Sequence, residues 1–169
     1  MGPFDILAEQ HRELEERFEA LGVEDGAEEA DPQHEHAEGL LGLLRLHTLL
    51  EERYLYPLLT RAEGRARARE AAEDHLTMSE LMDELEEQPP GGPEWWARLL
   101  ALEDLLVAHV REEEEQTFPR LMRELNAGEQ EELRHALMAL RDELSSGAHA
   151  WPGNSSLRDG ASHEPRWDV

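Results

Sequence analysis

The chain has 169 residues, 5% aromatics, no cysteine and a formal net charge of −24. That length suits one domain with a proper core, and a composition rich in Glu, Leu, Ala and Arg favours helices over sheet. Disulfides, thiolate nucleophiles and Cys-based metal sites are excluded, and both nucleic acid and anionic membranes would be repelled.

No apolar stretch approaches the ~18 residues of a membrane span. Asp5 and Glu9 fall where a signal peptide would be apolar, so a cytoplasmic protein is expected. The first predicted helix covers 4–21, where Phe4, Leu7, His11, Leu14, Phe18 and Leu21 alternate three and four apart, as on the seam of a bundle helix. Pro3 suits its first turn and Gly22 its stop. Residues 22–34 read as an acidic loop. A second helix runs from about 35 to 62 on the seam Leu40, Leu44, His47, Glu51, Tyr54 and Leu58, with Pro57 expected to bend or tighten its last turns.

A third helix is expected over about 65–87, with Ala68, Ala71, His75, Met78, Met82 and Leu85 on its seam. The sequence PPGGP at 89–93 breaks the chain. The fourth helix, about 94–125, carries Trp95, Leu99, Leu102, Leu106, His109 and Glu113. Asn126–Gly128 closes it, and a shorter fifth helix covers 129–144. From 145 to 169 the chain is Ser/Gly/Pro-rich and aperiodic, so a flexible tail is expected there, with Trp151 and Trp167 as stray aromatics. The fold expectation is all-α: an up-down-up-down four-helix bundle with a short fifth helix over 1–144, then a tail over 145–169.

Four seams thus each carry one His, and two of them add a Glu one turn later. The second and fourth helices share one pattern without gaps, His-x3-Glu-Glu-x3-aromatic-Pro-x-Leu: His47, Glu51, Glu52, Tyr56, Pro57, Leu59, and His109, Glu113, Glu114, Phe118, Pro119, Leu121. Residues four apart share a helix face. At about 1.5 Å of rise per residue, all six seam groups fall within one or two turns of a common level. Buried and unpaired, each neutral group would cost about 1–3 kcal/mol, and an isolated carboxylate much more. No cation shares these seams, so a metal must compensate them. Six converging ligands exceed the four of one zinc site and point to two metals. Imidazole with carboxylate suits iron, and also manganese or zinc.

These motifs resemble the hemerythrin-like (HHE cation-binding) family over residues 3 to about 125. The matching segments are DIL-x3-HR around His11, H-x3-EE-x3-YP at His47, EDH-x2-M at His75 and H-x3-EE-x3-FP at His109. The resemblance implies a four-helix bundle holding two Fe ions joined by an oxo or hydroxo bridge. His11, His47, His75 and His109 would be terminal ligands, and Glu51 and Glu113 bridging ones. One departure stands out: hemerythrins carry a second His four residues after the third-helix one, and here that position is Ser79. The shortened set leaves an open position and shifts the expectation from reversible O2 carriage towards reaction with small oxidants.

The functional expectation is therefore a non-heme di-iron protein that binds or reacts with O2, peroxide or NO, in sensing, detoxification or storage. The alternative is an iron-handling, ferroxidase-type protein delivered to a larger assembly by its C-terminal tail. Several residues remain outside the ligand set. His34 and His36 read as solvated, His135, His149 and His163 lie in the fifth helix or tail without a partner pattern in the sequence, and Glu112 and Glu115 read as surface charge. Glu52 and Glu114 point about 100° away from the ligand face and are either a solvated face or partners that orient a ligand His. Tyr54 either packs in the core or reaches a bound oxygen species. Leu7, Leu14, Leu50, Met78 and Leu106 are expected to line an apolar pocket.

Overall fold

The computed structural model describes residues 1–23 and 30–146, the side chains of 23 and 30–33 excepted. Helix α1 spans Asp5–Val23 and α2 Ala30–Leu50; a π-helical turn, Glu51–Leu55, joins α2 to α3, Tyr56–Glu63. Helix α4 covers Arg65–Glu86 and α5 Pro93–Glu112; a second π turn, Glu113–Thr117, leads into α6, Phe118–Glu124, and α7 spans Ala127–Ser146. The first rod is therefore α1, the second α2–α3, the third α4 and the fourth α5–α6. They pack as a four-helix bundle, α1 on α2, α3 on α4 and α4 on α5, with α7 laid against the outside of α2. No strand occurs among the described residues.

Local chemistry explains where the rods start and stop. Gly64 alone separates α3 from α4, and its φ of 91° is one that a residue with a Cβ adopts only under strain. Helix α1 continues through Gly22 to Val23, and α2 begins at Ala30, so the acidic segment is more helical than its composition suggests; residues 24–29 lie outside the described residues. Pro32 fits because it falls in the first turn of α2. Asn126 does not close the fourth rod but opens α7. Its Oδ1 accepts from the Glu129 N–H at 3.0 Å, and the Glu129 carboxylate accepts from the Asn126 N–H at 2.9 Å, a reciprocal cap. The helix runs on to Ser146; the remainder of the expected tail, with His149, Trp151, His163 and Trp167, lies outside the described residues.

Both π turns precede a proline. Pro57 and Pro119 have no N–H to donate, and their rings crowd the carbonyl four residues back. The helix answers by widening rather than tightening: the N–H of Tyr56 reaches the carbonyl of Glu51, and that of Phe118 reaches Glu113, each five residues back. The wide turn also shifts the phase of the second rod. Its buried positions move from the expected Tyr54 and Leu58 to Leu55, Tyr56 and Leu59, while Tyr54 and Leu58 are only half-buried.

Two apolar clusters form the core. One gathers Phe4, Leu7, Leu50, Leu55, Tyr56, Leu59, Phe118 and the inner face of α7; the other gathers Leu14, Phe18, Leu40, Leu44, Met78, Met82, Trp95, Leu102 and Leu106. Each fully buried Leu contributes about 1.5–3 kcal/mol. Between the clusters lies a layer of buried polar side chains.

Candidate metal centre

That layer consists of His11, His47, Glu51, His75, His109 and Glu113, all at most 4% exposed. Leu7, Leu14, Leu50, Met78 and Leu106 are buried around them as expected from the seams, two in one cluster and three in the other. The imidazoles meet in pairs, one pair from each helical hairpin. The Nε2 atoms of His11 and His47 are 3.2 Å apart, and so are those of His75 and His109.

The carboxylates span the pairs. Glu51 turns Oε1 towards His47, at 2.8 Å, and Oε2 towards His75 and His109, at 3.0 and 3.4 Å. Glu113 turns Oε2 towards His11 and Oε1 towards His109, both at 3.3 Å. Two overlapping donor sets result: His11, His47, Glu51 and Glu113, and Glu51, His75 and His109, with the atoms of each set within 4.8 Å of one another. Ser79, half-buried one turn beyond His75, belongs to neither set.

The outward nitrogens decide what the inward ones can do. His11 donates from Nδ1 to Glu114 at 2.7 Å, His75 from Nδ1 to Glu52 at 3.1 Å, and His47 from Nδ1 to Gln10 Oε1 at 3.0 Å. His109 turns Nδ1 towards Asp74, 3.9 Å away. With the proton held on Nδ1, a neutral imidazole presents a lone pair at Nε2. Four lone pairs and two carboxylates then face one another in a dry interior. Glu51 Oε1 and Glu113 Oε2 are buried without a hydrogen bond to any described group. Such an arrangement needs positive charge at its centre.

Protons supply that charge when no metal does. Burial opposes charging His11, yet the carboxylates of Glu113 and Glu51 outweigh it and push its pKa up to about 10. Burial likewise opposes charging His75 and His109, yet Glu51 and Glu52 move His75 upward, and Glu113 and Glu51 move His109 well upward. Burial alone would raise Glu51, but the charge of His47 and contacts with His109 and His11 hold it well below the usual carboxylate range. The donor set of nitrogen and carboxylate oxygen, without sulfur, fits a pair of first-row metal ions.

Glu52 and Glu114 are thus partners of imidazoles on the neighbouring rod, not a free solvated face, although each remains half-exposed. Tyr54 stays away from the layer. The aromatic that approaches it is Tyr56, whose ring centroid lies 4.9 Å from that of His75 and whose hydroxyl donates to the Ala71 carbonyl at 3.0 Å. Its repeat counterpart Phe118 stacks on His11 at 5.9 Å. Gln10 and Asp74 were not legible as site residues from the seams. Each immediately precedes a seam His, and that shared position in the repeat was the available signal.

Residues 2–121 match the family model described as the hemerythrin HHE cation binding domain. The chain belongs to that family. Among solved structures, this hemerythrin-like chain is similar to the hemerythrin HHE cation binding domain-containing protein of Mycobacterium kansasii, a homolog of Rv2633c. The TM-score is 0.73 and the identity 21%, covering 88% of this chain and 90% of that one. It is also 24% identical over 142 residues to a protein from Nostoc sp. named DNA nickase. That alignment takes in 83% of this chain but only 39% of the relative, so the chain spans well under half of that protein. No helix among the described residues is long and apolar enough to cross a membrane.

Proposed function

We propose that this hemerythrin-like protein holds two irons in the buried layer and binds or reacts with O2, peroxide or NO, in sensing, detoxification or storage. His11, His47, His75 and His109 would hold the irons as terminal ligands, and Glu51 and Glu113 would be shared between them. The observation that carries the reading is the pair of carboxylates, each spanning both histidine pairs and each with a buried oxygen lacking a hydrogen bond. When bound, the irons supply the redox and Lewis-acid chemistry.

The chain supplies geometry, charge and dryness. Glu52, Glu114 and Gln10 fix three imidazoles with Nε2 inward, which also raises their basicity as ligands. The two apolar clusters keep bulk water from the layer. A cytoplasmic setting, a small-molecule ligand and no nucleic-acid or membrane partner complete the proposal. The nickase named for the Nostoc relative does not transfer, since a net charge of −24 repels DNA. Metal analysis and visible spectroscopy of protein grown with iron test the reading. About two irons per chain, with ligand-to-iron charge-transfer bands, is the expected result; a zinc-only or one-metal protein would overturn it.

A further inference from the structure

The two histidine pairs differ in how they are enclosed. Beside His109 and Glu113 lies a cavity of about 10 Å³, also lined by Leu59, Ala71 and Thr117 and framed at its outer side by Arg67, Asp74 and Glu112. That is room for one water-sized molecule. The repeat puts Leu7, Leu50 and Leu55 at the corresponding positions of the other half, opposite Ala71, Glu112 and Thr117, and all three are fully buried. Large apolar side chains therefore fill these three positions on the His47–Glu51 side, whereas Ala71, Glu112 and Thr117 leave the cavity open beside Leu59 on the His109–Glu113 side. An ion pair between Arg67 and Glu112 closes its mouth, and Arg67 keeps a fifth of its side chain exposed.

A larger groove of about 370 Å³ between α1 and α5 also reaches the layer, but it touches only His11 and Glu114, not the bridging carboxylates. The geometry points to the smaller passage as the route by which a small ligand reaches the metals, with Ala71 and Thr117 setting its width and the Arg67–Glu112 pair acting as its cap. Selection by width follows: a diatomic, peroxide or a linear triatomic passes end-on, and larger oxidants do not. This inference rests on the metal-binding reading above, and the test separates the two.

The probe is azide, added to the oxidised, iron-loaded protein and followed by stopped-flow absorption. Ala71→Leu and Thr117→Leu each import the side chain of the sealed half. Each is expected to slow azide association and dissociation together by roughly tenfold or more, with iron content and resting spectrum unchanged. Arg67→Ala uncaps the mouth and speeds both rates. Val107→Trp, at an exposed position of the larger groove, leaves both as they are. Wild-type rates in an iron-loaded Ala71→Leu or Thr117→Leu protein would overturn the route. So would slowing by Val107→Trp alone. If neither leucine variant retains iron, unchanged rates in Arg67→Ala overturn it. A wild-type protein that takes up no iron contradicts the metal-binding reading instead.

Discussion

The two hairpins of the bundle use one repeat to build two unlike halves. Around His11 and His47, leucines close the layer, Phe118 stacks on the imidazole, and Glu114 and Gln10 hold the outward nitrogens at hydrogen-bond distance. Around His75 and His109, Tyr56 replaces the Phe, the cavity replaces the leucines, and Asp74 stands 3.9 Å from the His109 ring. The first half belongs to a four-donor set and the second to a three-donor set. A duplicated scaffold thus separates holding from exchanging. One half closes over His47 and Glu51, its larger groove reaching only His11, while the other keeps an approach to the carboxylates for a small molecule.

Removing the one carboxylate common to both donor sets should erase the difference altogether. Glu51→Ala is expected to lose nearly all bound metal, whereas Glu113→Ala, which leaves the three-donor set intact, retains part of it. Metal content after purification checks this; equal losses in the two variants would mean the donor sets do not divide as described.

The metal-free chain offers the next largest effect, through pH. His11 rises from 6.5 to about 10 on folding, so its contribution to stability is complete below about pH 6.5 and lost as pH climbs through 10. His75 and His109 act in the same direction. Glu51 is depressed, so its contribution is present above its ordinary value of 4.5 and is lost only as pH falls through its lower folded value. Thermal melts without metal should therefore peak between about pH 4.5 and 6.5 and weaken towards pH 10, by on the order of a few kcal/mol. Iron loading, which displaces those protons, should flatten the alkaline limb.

Partners of the outward nitrogens give a graded series. Glu114→Gln and Glu52→Gln should each weaken metal binding by about 10–100-fold. Asp74→Asn should cost less, because its oxygen is 3.9 Å from the ring and its side chain is 42% exposed. Competition with a chelator ranks the three. The smallest change is Tyr56→Phe, which copies the first half into the second. Losing its bond to the Ala71 carbonyl should lower stability by about 1 kcal/mol in denaturant titration and leave metal content unaltered.

Much of this was legible in the sequence because the layer interrupts apolar seams of regular period. A His between Leu7 and Leu14, or between Ala71 and Met78, has a depth and a facing direction set by helix geometry alone. What escaped depends on departures from that geometry. Residues after Glu51 fall one position out of phase with the seam, since a π turn adds a residue that a constant period cannot register; the seam points to Tyr54, whereas Tyr56 is the aromatic beside His75. The roles of Glu52 and Glu114 needed the neighbouring rod, because each holds a His that lies far away in the chain. The early starts of α2 and α7 escape a reading by composition because proline and asparagine, which mark loops and helix ends, also open helices, as Pro32 and Asn126 do here.

Mössbauer spectroscopy of protein loaded with ⁵⁷Fe tests the central claim most directly, since it counts irons and compares their surroundings in one spectrum. Two irons in equal amounts should give two distinct quadrupole doublets, and azide should shift one doublet far more than the other. A single iron, or two that remain indistinguishable before and after azide, would contradict a layer built from unequal halves.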